Sequence, residues 1–205
     1  MKKVILIGGC PEIFELCMDC EVEIAGVVDH SDQVLHGCNL PYLGTDEVFL
    51  SNKEKYLNIP LVVIPESPSI RKRIVEKYRI EGFLFSALIS PKADISRSAQ
   101  LAEGSVIFQY VTITAEAKIG AFARVCHGSR IFHECCIGDF VTIAPGATLL
   151  GRVQVEELSY IGTNSTIVPE RKVGKECKIG AGSVVIRNVP SGRTVFGVPA
   201  LPVEV

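Results

Sequence analysis

The sequence has no surplus of either charge and no apolar run long enough to cross a membrane. Its 21 basic and 23 acidic side chains leave a formal net charge of −2, so no global field draws it to nucleic acid or to an anionic membrane. A ligand must be recognised locally. The N-terminus, MKKVILIGG, carries two lysines, but its apolar run ends at Ile7, far short of a signal-peptide core or of the ~20 residues that span a bilayer. A cytoplasmic protein without membrane or nucleic-acid partners is expected. Histidine is scarce as well: after residue 86 there are only His127 and His133. A three-histidine zinc site therefore lacks its third ligand, and no metal is expected.

What is present is ordinary for a globular chain of 205 residues, 47% hydrophobic and 21% charged, which is enough to bury a substantial core. Eight cysteines suit a reducing compartment, where small thiols pack as hydrophobes. Cys17 and Cys20 form a C-x-x-C that fits a redox pair, or half a zinc site with Cys10 and Cys38. The plainer reading is a helix face with thiols one turn apart.

Up to about residue 86, strand-like and helix-like stretches alternate. KVILI (3–7) reads as a strand, Gly8 and Gly9 turn the chain, and PEIFELCMDC reads as a helix with Pro11 in its first turn. EVEIAGVVD (21–29) and LVVI (61–64) read as further strands. Ser67-Pro68 opens a helix, and GFLF (82–85) reads as a fourth strand. This order predicts a small parallel α/β sheet. Ligands of such sheets bind beyond the carboxyl ends of the strands, here around Gly8, Gly9, Cys10 and Asp29.

Beyond residue 86 the period becomes six. From Ile89 through Ile107, Val125, Ile143, Ile161 and Ile179 to Val185, every sixth residue is aliphatic without a slip. Four residues after each comes a small or β-branched residue, with Arg171 the one departure. Six fits neither a helical period nor a heptad. Such a repeat is the signature of a β-helix whose stacked coils bury an aliphatic column.

At 18 residues per coil, His133 has Ala115 below and Gly151 above, so a large polar side chain has room beside it. Glu134 then has Glu116 below and Arg152 above, and a charged strip flanks the imidazole. Ile131 points inward, which leaves His133 near a corner, outside the core. Cys135 occupies an inward slot, which argues against it as a nucleophile. His127 lies on another side of the triangle and is not His133's partner.

The segments MKKVILIGG, AGVVD, YLGTDE, FHECCIGDFVTIAPGATLLG, IGAGSVV and GVPA carry a resemblance over residues 1–200. The chain resembles the sugar acyltransferase family of bacterial glycan biosynthesis, which includes nucleotide-sugar N-acetyltransferases and sialic-acid O-acetyltransferases. The resemblance implies a Rossmann-like nucleotide-sugar-binding domain over 1–86 and a left-handed parallel β-helix acyltransferase domain over 87–205. It implies His133 as general base, oriented by Glu134, with the Gly151 N–H as oxyanion donor. It further implies acetyl-CoA as cosubstrate in a groove past Thr142, Thr163 and Ala181, between the subunits of a homotrimer. Gly8, Gly9, Cys10, Asp29 and Pro65 would hold the substrate. Several positions depart from the family pattern: the turn Gly8 to Glu12 lacks the usual Gly-His, the second strand ends Asp29-His30 where paired acids are usual, Pro65 stands where a glycine is usual, and Thr142 where many members have a second histidine. The leading expectation is N-acetylation of a nucleotide-linked amino sugar. O-acetylation of a sugar or sialic-acid hydroxyl, and a non-catalytic sugar-nucleotide-binding scaffold, are the alternatives.

Overall fold

A computed structural model describes residues 2–35 and 37–203. Strand β1 (Lys2–Ile7) is central in a three-stranded parallel sheet of order β2-β1-β3, between β2 (Val22–Val28) and β3 (Leu61–Val63). Helix α1 (Pro11–Asp19) follows β1 through Gly8, whose φ of +88° favours glycine. Helix α2 (Asp46–Ser51) and two short 3₁₀ turns fill the crossover to β3, and α3 (Pro68–Ile80) returns the chain toward the second region. Ser67 precedes α3, but its side chain makes no cap; it meets Ser69 instead. The strand expected over 82–85 is a correction. Only Phe85 pairs, in a single parallel bridge to Leu61, because Gly82 adopts φ +89° and the chain bends toward the β-helix, leaving Leu84 exposed.

The six-residue period builds a three-faced prism of two-residue strands joined by tight corners. Parallel pairing runs at intervals of 18: Arg124 pairs with Val106 and Thr142, Arg130 with Thr112 and Thr148, and Cys136 with Lys118 and Gln154. Leu88, Val106, Arg124, Thr142, Tyr160 and Lys178 alternate with inward aliphatics along face I; Arg130 belongs to face II and Cys136 to face III. The column of aliphatics and small residues is essentially dry, from Ile107 through Ile143 to Val185. Its lower end is not: Ile89 is 38% exposed, because no coil lies beneath it. At the upper end a hairpin of Thr194–Phe196 and Leu201–Val203 closes face I with an antiparallel pair.

The corners obey the same period. From Gly104 to Gly182 every sixth residue has positive φ, including Glu116, Glu134 and Arg152. L-residues enter that region at a cost of roughly 1–2 kcal/mol, and the stacked backbone bonds on either side hold them there.

The α/β unit packs on face I. Leu88, Val106 and Phe108 join the cluster formed by Val4, Leu6, Ile13 and Val62. Arg71 of α3 pins the seam: it is 1% exposed and donates to the carbonyls of Pro65, Glu66, Phe122, Phe140 and Val141 and to the Thr142 hydroxyl. Six contacts saturate the five N–H donors of a guanidinium.

Candidate active site

His133 and Glu134 sit at the corner between faces II and III. Glu134's left-handed φ of +59° folds its carboxylate back, so that Oε2 lies 2.9 Å from His133 Nδ1. Arg152, one coil above, donates to the same oxygen at 3.4 Å and reaches Glu170 at 2.8 Å, which makes the strip Glu134, Arg152, Glu170 an alternating ladder of charge. The hydrogen bond from His133 and then the Arg152 guanidinium hold the Glu134 carboxyl below its usual range. An ionised Glu134 accepts from Nδ1–H, which leaves the Nε2 lone pair free.

The ring lies over Gly151. A Cβ at that position would run into Nε2 and Cε1 of His133, so the imidazole occupies space that only glycine leaves open. Gly151 is buried beneath it, and among the described residues no acceptor takes its N–H. A lone pair and an unspent donor thus stand side by side. His133 and Glu134 are each about half exposed, 48% and 47%, so a ligand can reach them.

A second feature lies on the opposite side of the prism. Gly8, Gly9, Cys10, Pro65, Glu66 and Arg124 line a cavity of 680 Å³ between the α/β unit and face I. That is a size suited to a small organic ligand. Asp29 is not in it: it lines a neighbouring hollow, and Pro65 borders both. The glycine amides are also spent internally, Gly8 N–H on the Val28 carbonyl and Gly9 N–H on Asp29 Oδ2. Close backbone approach at this turn therefore brings no free Gly8 or Gly9 donors.

Thr142 is the clearest correction. It faces the seam rather than a groove, fully buried, with its hydroxyl donating to the Glu66 carbonyl at 2.7 Å and accepting from Arg71 at 3.0 Å. The loop 64–67 covers face I at this height, so no cosubstrate reaches that side chain. Thr163 and Ala181 are exposed and stacked on the corner between faces I and II. His127, lower on that corner, packs on the Phe108 ring. Cys135 is buried and its thiol meets the Leu150 carbonyl, while Cys136 is exposed. Cys17 is buried and Cys20 donates to the Ile89 carbonyl. Among the described residues no three His, Cys, Asp or Glu side chains gather as metal ligands. Arg124 and Glu66 wall the cavity and Tyr160 bonds Glu66, none of them expected from the sequence. A signal for Arg124 was present, since it follows the outward apolar pair Leu88 and Val106 on face I.

A hexapeptide prism with an imidazole–carboxylate pair at one corner and an α/β unit on the far face defines a class, the hexapeptide-repeat acyltransferases. No family profile matches the chain. It is 35% identical over 152 residues to the GDP-perosamine N-acetyltransferase of Escherichia coli O157:H7, covering 72% of this chain and 67% of that protein. PerB from Caulobacter crescentus, solved in complex with CoA and GDP-perosamine, superposes with a TM-score of 0.92 at 29% identity, over 100% of this chain and 98% of that one. The acetyltransferase domain of PglB from Neisseria gonorrhoeae, solved with acetyl coenzyme A, gives a TM-score of 0.87 at 29% identity, over 98% and 99%. The chain belongs to the acetyl-CoA-dependent sugar acetyltransferases of glycan biosynthesis, and its prism is their left-handed parallel β-helix.

Proposed function

We propose that this protein transfers the acetyl group of acetyl-CoA to the amino group of a nucleotide-linked amino sugar. The observation that carries the chemistry is the His133 ring, fixed by Glu134 at Nδ1 and set with Nε2 over the buried, unspent Gly151 N–H. In this reading the neutral amine attacks the thioester carbonyl while Nε2 accepts its proton. Negative charge develops on the carbonyl oxygen, toward the Gly151 N–H. Collapse breaks the C–S bond, and the imidazolium returns the proton to the departing thiolate, giving the amide and CoA.

The cavity beside Gly8, Gly9, Cys10 and Pro65 is the proposed seat of the nucleotide, with Asp29 acting through its bond to the Gly9 amide. It opens on face I, and His133 projects from the corner opposite that face. One chain cannot bring them together. A closed ring of three copies does so if the cavity of one subunit faces the His133 corner of the next. The cosubstrate then lies between prisms, near His133 on one and Thr163 and Ala181 on the other. The residues 1–86 form the nucleotide-sugar-binding part in this reading, and 87–205 the transferase part.

The test is mass spectrometry of nucleotide-linked amino sugars and free hydroxyl acceptors incubated with acetyl-CoA. Wild type should add one acetyl to an amino-sugar acceptor, and His133→Ala should lose on the order of 10²–10⁴ in rate. Acetyl gain only on hydroxyl acceptors would replace N- with O-transfer. CoA binding without acetyl gain on any acceptor would favour the scaffold.

A further inference from the structure

The seam beneath the cavity holds two guanidiniums with no carboxylate partner. Arg71 and Arg124 are 1% and 8% exposed, and among the described residues neither has a carboxylate oxygen within 4 Å. Burial first, and then the like charge of Arg124, disfavour the charge on Arg71. Buried charges of one sign without a counter-ion are costly. Arg71 satisfies its donors with backbone carbonyls and the Thr142 hydroxyl, as described above. Arg124 does not. Its one clear side-chain hydrogen bond among the described residues runs from Nη1 to the Ile64 carbonyl at 2.7 Å, the buried Cys126 thiol lies beside it, its flat face lies 4.7 Å from the Phe108 ring centroid, and its Nε–H is buried without an acceptor.

Arg124 also lines the cavity, opposite the N-terminus of α1. That helix has nine residues, and its N-cap residue, Cys10, offers no side-chain acceptor, so the positive end of its dipole is uncapped toward the same space. With the amides of Gly8 and Gly9 engaged elsewhere, the turn alone is a weak cradle for phosphate. We propose that Arg124, delivered from the β-helix, is the principal anchor for the diphosphate of the nucleotide sugar, a role that glycine-turn amides cannot fill in this chain. This rests on the nucleotide-sugar reading of the cavity. Glu12 and Glu66 border the same cavity, so it favours a ligand that combines an anionic centre with hydroxyl donors over bare phosphate. Glu66 already accepts from the Tyr160 hydroxyl at 2.7 Å, which ties the cavity wall to the coil above Thr142.

The experiment is calorimetric titration of GDP, UDP and dTDP, and of the matching nucleosides, into wild type and Arg124→Gln, with CoA binding and thermal unfolding as folding controls. Wild type should bind at least one diphosphate. Arg124→Gln should bind it on the order of 10- to 100-fold more weakly, as expected for losing a hydrogen bond to a charged group, with nucleoside affinity unchanged. Arg124→Lys, which keeps a point charge without the fork, should fall between. Equal diphosphate affinity in wild type and Arg124→Gln would overturn the assignment while leaving the nucleotide-sugar reading intact. A wild type that binds none of the three would remove both. Should the variants not fold, the buried arginine Nε–H signals of ¹⁵N-labelled wild type decide: one should shift with the diphosphate and not with the nucleoside, and no shift would reject the proposal.

Discussion

In the proposed reading three residues at one corner, His133, Glu134 and Gly151, divide the chemical labour, and each is expected to fail differently when changed. Glu134→Gln keeps the shape but removes the charge that selects the Nδ1–H tautomer, so kcat should fall roughly tenfold or more. The Glu134 carboxyl is held low by its bond from His133 and then by Arg152. A depressed carboxyl makes its contribution in full above the ordinary value of about 4.3 and loses it as pH falls through the lower folded value. Protonation of Glu134 should therefore erase the difference between wild type and Glu134→Gln only as pH falls below about 4.3. Rate profiles of both proteins check this. Gly151→Ala tests space rather than charge. Its methyl would meet the imidazole, and because that ring is half exposed it can swing into solvent. A kcat loss of about tenfold or more with Tm almost unchanged is the expected pattern; a lowered Tm with normal kcat would contradict it.

Among the elements, the six-residue beat was legible because every coil repeats the same demand, an inward aliphatic and a small residue four places on. Positions such as Ile131 and Cys135 lie where that period puts them. The His133–Glu134 pair with its glycine neighbour was legible for the same reason, since stacking at 18 residues places Gly151 above the imidazole. The seam was not. Thr142 is outward-facing by the repeat, yet loop 64–67 covers it, and nothing in a periodic pattern says which face another unit will cover. GFLF has strand composition, but Gly82 and the turn into the first coil leave it a single bridge. Arg71 stands in α3 among Lys72, Arg73, Lys77 and Arg79 with no pattern to set it apart, yet it is the most buried charge of the seam. Arg71→Met strips donors from five carbonyls and the Thr142 hydroxyl, and should cost about 3 kcal/mol or more. For a chain of this size that lowers Tm by roughly 6–12 °C, measurable by calorimetry. An unchanged Tm would mean that water replaces the guanidinium.

At the scale of the whole molecule, the cavity and His133 lie on opposite sides of one prism, so the proposed function requires complete sites to form between copies. Two impaired proteins, His133→Ala and, assayed at low nucleotide-sugar concentration, Arg124→Gln, should complement each other when mixed and reassembled. With random exchange in a trimer, about a quarter of the sites pair an intact cavity with an intact His133, and activity should return to that level. No recovery despite demonstrated subunit exchange would place cavity and base in one chain. The closing hairpin at the upper end has a consequence of another kind. A parallel stack of open coils is an endless template: the last strand of one copy matches the first strand of another, and such edges invite fibres. The lower rim, with Ile89 partly bare, is one such edge. Pro202 and the antiparallel turn of Leu201–Val203 against Thr194–Phe196 end face I at the other rim, so this face lacks the second matching edge that end-to-end polymerisation requires.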